Sequence, residues 1–229
     1  MNRKILRVLI FMTMLAPIVG CGQSNLLDMD KKWIKELNLD SELIKELRKY
    51  TDSSFRVASG NIDAELGYKD AMNYKKFLEK NVIGVSFDAT EDMAFKLISN
   101  LREKFREKGY FIYISEMNSG YSPEEVTILK TNDKFDLLRF EGTNGVNYDI
   151  YTEDIIARLT DWDKKFGLDI FATGFDAVQT YYINRPPDLE EFTKELYEFC
   201  PDIVDQGAGT LDELKLVVAR TKQIYLWWD

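Results

Sequence analysis

The sequence predicts an α+β fold, a mixed sheet with helices packed mainly on one face, preceded by an N-terminal helical segment. Three observations predict it. Apolar residues recur at helical spacing in several blocks, short β-branched and aromatic runs stand between them, and turn or capping residues mark most of the joins. From residue 81 the blocks run β-α-β, then α-β-β-α-α-β.

Between Asp30 and Tyr50, the residues Trp33, Ile34, Leu37, Leu43, Ile44 and Leu47 fall at three- and four-residue intervals. They predict two helices broken near Asn38-Leu39-Asp40, with Asp40 capping the second. Residues 51–80 predict irregular structure and then a helix from about Asp70 to Lys80. Val82 to Phe87 reads as a strand. Asp88 and Thr90 offer caps for a helix to Lys108, whose Met93, Leu97, Ile98, Leu101 and Phe105 make one apolar stripe. Gly109 ends it, and Tyr110 to Ile114 is a second strand. A loop over 117–123 leads to a strand at 126–130, and 133–140 fits either a short helix or a strand.

Glu141-Gly142-Thr143-Asn144-Gly145 is turn chemistry. Thr152 caps a helix bearing Ile155, Ile156, Leu159, Trp162 and Phe166, closed by Gly167. Strands at 168–174 and 177–183 follow. Asp188 and Glu191 are spaced as a capping box for a helix with Leu189, Phe192, Leu196, Phe199 and Cys200 on one face. Thr210 and Glu213 repeat that spacing before Leu211, Leu214, Val217 and Val218, and a last strand runs from Ile224 to Trp228.

The first residues carry Arg3, Lys4 and Arg7 and no acid, and an apolar run extends from Val8 to Gly20. That run is too short to cross a bilayer as a helix, which takes about 20 residues, but it suits a secretory leader. Ile18-Val19-Gly20-Cys21 at its end resembles the lipobox of bacterial lipoproteins. The resemblance implies a signal peptide over 1–20, cleavage before Cys21, and acyl chains such as palmitate on that cysteine. Residues 21–28 then form a polar tether. Two or more chains anchor a protein stably, which predicts a lipid-anchored position on a cell-envelope membrane, facing periplasm or exterior.

The chain holds 30 basic and 39 acidic residues. The leader takes away three basic residues and no acid, leaving a net charge of −12. Such a body repels nucleic acid and anionic head groups, so nucleic acid is excluded as a partner and acyl chains must supply membrane attachment. With no histidine, His-dependent triads, histidine zinc sites and imidazole proton shuttles are excluded. Of two cysteines, the lipidated one leaves only Cys200, so no internal disulfide forms. No cofactor and no metal is expected.

The segment from Cys200 to Thr210 offers two readings. In one, Asp202, Asp205 and Gln206 precede a capped helix whose N-terminal N–H groups can bind an anion or carboxylate, or Asp202 and Asp205, with Asp229 from a neighbouring strand, hold a hard cation or act as acid and base. In the other, which the composition favours, the segment is a helix connection in which Asp202 accepts loop N–H groups and the glycines supply positive φ. Trp227 and Trp228 point to opposite faces of a strand, so one packs inward and the other lines a groove or lies under a helix. Asn147, Tyr148 and Asp149 either border the site or form the turn before the next helix. Cys200 shares an apolar stripe and reads as a buried thiol.

Several of these residues carry a family resemblance. Gly145-Val146-Asn147-Tyr148-Asp149, Trp162, Phe166-Gly167, Pro186-Pro187, Phe199-Cys200-Pro201-Asp202, Gln206-Gly207 and Leu226-Trp227-Trp228-Asp229 together resemble the bacterial family called domain of unknown function 4253. The resemblance covers about 125–229 and, more loosely, 82–115. It implies that these segments form one domain within an α+β unit over 81–229, behind a helical segment over 29–80, and implies no chemistry. The sequence therefore favours a non-catalytic binding or protein-interaction domain, with an envelope protein or a basic toxin as the partner its acidity admits. The alternative is a carboxylate-dependent hydrolase acting on envelope glycan or peptide.

Overall fold

The computed structural model describes residues 26–61, 67–69, 71–81, 84–118 and 120–229. The leader, Cys21, the start of the tether, Asp70 and the first residues of the strand expected at 82–87 lie outside them.

Helix α1 (Asp28–Leu37) ends where Asn38 turns left-handed, and α2 (Ser41–Leu47) starts with the Asp40 carboxylate accepting from the N–H groups of Glu42 and Leu43 at 2.9 and 3.2 Å. The two-residue strand β1 (Arg56–Val57) and helix α3 (Ala71–Asn81) come next. Strand β2 (Gly84–Ala89), helix α4 (Glu91–Glu107) and strand β3 (Tyr110–Glu116) follow the predicted order, with Gly109 at φ 78 making the turn. Strand β4 is Glu124–Lys130, and the block at 133–140 resolves as helix α5 (Asp136–Glu141). A 3₁₀ turn (Val146–Tyr148) precedes α6 (Thr152–Phe166), β5 (Leu168–Thr173), β6 (Ala177–Tyr182) and α7 (Leu189–Phe199). A wide π turn (Ile203–Ala208), α8 (Leu211–Thr221) and β7 (Gln223–Trp227) complete the fold.

The strands form one mixed sheet in the order β1-β2-β4-β3-β5-β6-β7, antiparallel throughout except between β3 and β5. The α+β class and the mixed sheet are as the sequence predicts. The β-α-β unit is split: β4 sits between β2 and β3 and pairs antiparallel with both.

Strand alternation divides the core. Phe111 and Tyr113 of β3 join one hydrophobic cluster, whereas Tyr110, Ile112 and Ile114 join another on the opposite face. The first and larger cluster lies under α5, α6, α7 and α8, with Trp162 fully buried at its centre. The opposite face is covered too, by α4 together with α1 and α2. The reason is compositional: nearly every residue of β3 is buried, so neither side of the middle of the sheet can be left to water.

The N-terminal helices are fastened to this body. Leu43, Ile44 and Leu47 pack with Leu97, Leu101 and Phe105 of α4. Arg48 grips Asp30 with two hydrogen bonds of 2.9 and 2.6 Å and donates to the carbonyls of Thr51 and Ser53. Its guanidinium also lies over the Phe55 ring, 4.2 Å from the centroid. Both side chains are buried, at 2% and 0% exposure.

One cap differs from expectation. Thr152 lies inside α6, because its hydroxyl donates to the Gly67 carbonyl at 2.6 Å. The Asp154 carboxylate instead accepts from the Tyr151 N–H at 3.0 Å.

Candidate functional site

The segment singled out after Cys200 is an ordered π turn in which the Gly209 N–H reaches back to the Val204 carbonyl at 2.8 Å. Gly209, at φ 83, permits the exit. The Asp202 side chain is buried, and its two oxygens hold three elements together. The Tyr148 hydroxyl donates to Oδ1 at 2.7 Å and the Gln206 amide to the same oxygen at 2.9 Å. The Asp229 N–H donates to Oδ2 at 2.9 Å. Burial opposes ionisation of Asp202, but these three donors outweigh it and hold the carboxyl below its ordinary range. The same bond to Asp202, with some burial, pushes the Tyr148 hydroxyl up to about 12.

The other expected residues divide. Gln206 and the backbone of Asp229 join Asp202. Asp205 is exposed and accepts from the Tyr197 hydroxyl at 3.1 Å. Asn147 and Asp149 are exposed on the 3₁₀ turn, and it is Tyr148 between them that reaches Asp202. Trp228 is buried edge-on to Phe199, with ring centroids 5.7 Å apart. Trp227 is half-buried on the opposite face of β7. Among the described residues, no group of three or more Asp, Glu, Cys or His side chains is placed to hold a metal ion.

Cys200 closes the picture. Its thiol sits against the backbone of Trp227, donating to the carbonyl at 3.0 Å and accepting from the N–H at 3.2 Å. A side chain thus satisfies both backbone groups of Trp227 on the outer edge of the last strand. Burial pushes the thiol up to about 12. In a Cys21→Ser background, alkylation of Cys200 near pH 8 should be at least about a hundredfold slower in the native protein than in denaturant. Rapid native labelling, read by mass spectrometry, would contradict that placement.

Sequence reasoning missed a buried acid. Glu141 ends α5 on the same face as Leu137 and Leu138, and its Oε1 accepts from the buried Tyr113 hydroxyl at 2.6 Å. Burial, with the charges of Glu125 and Glu116, pushes this carboxyl up to about 8 against the opposing pull of the Tyr113 hydrogen bond. Ser115, bonded to Thr127 at 2.8 Å and to Glu125 at 3.2 Å, extends the polar cluster across β3 and β4. The signal was present: Glu141 lies three and four residues beyond two leucines on a short helix, on the stripe that faces inward.

Residues 125–229 match the family described as Domain of unknown function (DUF4253). Over this stretch the chain is similar to that family. No curated protein and no solved structure matches the chain. The DUF4253 match begins inside β4, a strand flanked on both sides by β2 and β3, which lie outside it. Physically the folded unit is therefore larger than the DUF4253 segment. Within that segment the residues that carry the resemblance build one knot: Trp162 and Trp228 both stand edge-on to Phe199, Cys200 caps Trp227, and Asp202 holds Asp229. Gly145 belongs to it as well, since a Cβ there would fall 2.7 Å from the Trp228 ring.

Proposed function

We propose that the protein is a membrane-anchored bacterial lipoprotein whose folded body is a non-catalytic binding or protein-interaction domain. The observation that carries this reading is the state of Asp202. Both of its oxygens are engaged by the protein's own donors, and its lowered pKa leaves no proton to deliver at neutral pH. The carboxylates on which a hydrolase would depend are divided in their roles, Asp202 within the fold and Asp205 on Tyr197. The lipobox at Ile18 to Cys21 supports the anchor, and the acidic body supports a partner that is neutral or basic, such as an envelope protein or toxin.

Labelled palmitate should enter the wild-type protein, and Cys21→Ser should lose the label and move from the detergent phase to the aqueous one. Retained labelling in that variant would overturn the anchor. The binding role is tested by cross-linking in envelope membranes from the exposed positions 147 and 149. A folded Asp202→Asn variant that loses hydrolysis of envelope glycan or peptide, measured beside an active wild type, would replace the binding reading with the enzymatic one.

A further inference from the structure

The face of the sheet beneath α4 continues past that helix onto β6 and β7. Its hydrophobic cluster draws its buried strand residues from β2, β3, β4 and β5, with none from β6 or β7. On β6 and β7 the register places Gln179 opposite Tyr225 and Ala177 opposite Trp227, and Ala172 of β5 flanks Gln179 on its other side. Residues paired in this way share a face. Tyr225 and Trp227 are half-buried, whereas Gln179 is 1% exposed. Neither the amide nitrogen nor the amide oxygen of Gln179 has a hydrogen-bond partner, and among the described residues no other side chain has fully shielded polar atoms in that state.

A buried carboxamide with both ends unsatisfied is costly, and an apolar residue of similar size would avoid the cost. What satisfies it must present an acceptor and a donor side by side. The two half-buried aromatic rings beside it offer flat apolar faces. A peptide adding to the β7 edge is disfavoured, because Cys200 occupies both backbone groups of Trp227. We propose that this face binds a neutral glycan through an N-acetylated amino sugar, the acetamido group pairing with Gln179 and the sugar ring stacking on Trp227. The inference rests on the binding reading above and names its ligand class. Entry of the acetamido group displaces the Trp227 or Tyr225 ring outward, so indole emission reports it.

The test uses the full lipoprotein in detergent, titrated with chitotriose and, as a control lacking the acetamido groups, cellotriose. Saturable change in tryptophan emission with chitotriose alone is expected, weakened at least about tenfold in Gln179→Leu and in Trp227→Ala. Circular dichroism and melting confirm that each variant is folded. No saturable response, an equal response to cellotriose, or unchanged affinity in both variants would overturn the proposal and leave ordered water as what meets Gln179. Cross-linking to an envelope protein with no glycan response would overturn this ligand while leaving the interaction reading intact.

Discussion

Raising the pH from about 4.5 to about 8 is expected to destabilise the folded protein by on the order of 5 kcal/mol through Glu141 alone. The native carboxyl, at about 8, holds its proton across a range in which the unfolded chain has released it. Folding therefore takes up a proton there, and stability falls by about 1.4 kcal/mol for each pH unit. The contribution is fully present below the unfolded value and is lost as the pH rises through the native one. Glu141→Gln keeps an acceptor for the Tyr113 hydroxyl and removes the proton, so its urea midpoint should be nearly flat through this window and should exceed the wild type's at pH 8. A parallel slope in the variant would place the titration elsewhere. Asp202 works in the opposite sense, since its lowered pKa contributes stability that is lost as the pH falls through the native value. These two groups together favour a mildly acidic optimum.

Asp30→Ala should cost about 3–5 kcal/mol, the usual penalty for leaving a buried charge without its partner. Arg48 is 2% exposed, and removing Asp30 takes away two of its charge-assisted hydrogen bonds at once. The same change removes the oxygen that accepts from the Leu27 N–H at 2.8 Å, at the entry to α1. Thermal melting of the single and double variants checks this: Asp30→Ala with Arg48→Met should recover much of the loss, since an apolar pair leaves no stranded charge. If Asp30→Ala melts within a degree or two of the wild type, the ion pair is solvated and the N-terminal helices are held by their leucines alone.

What the sequence disclosed follows the range of the forces involved. Helix α4 was legible because its stripe, its Thr90 cap and Gly109 are all local, and so were the opposed directions of Trp227 and Trp228. Residues 51–61 and 67–69 were not, because distant partners hold them. Ala58 donates to the Gly84 carbonyl, and the Tyr68 hydroxyl donates to the Arg139 carbonyl. The insertion of β4 between β2 and β3 is likewise non-local pairing that no periodicity encodes. At the candidate site, the pattern named Asp202, Gln206 and Tyr148 separately, but not the bond that joins Tyr148 to Asp202 across 54 residues of chain. The N–H that Asp202 accepts is that of Asp229, outside the segment, and the segment itself is a π turn rather than an irregular loop. Glu141 was passed over because a charged residue beside a glycine looks like a turn, and only packing turned it inward.

A sheet ends somewhere, and each end is an invitation to a second sheet. Here one border is the two-residue β1, bearing the charged Arg56, and the other has the Trp227 amide and carbonyl already taken by a sulfur atom. Copies of the protein brought side by side along this border would find the backbone groups of Trp227 already taken. Removing that thiol would leave one amide and one carbonyl bare on the border, a handhold for a neighbouring strand.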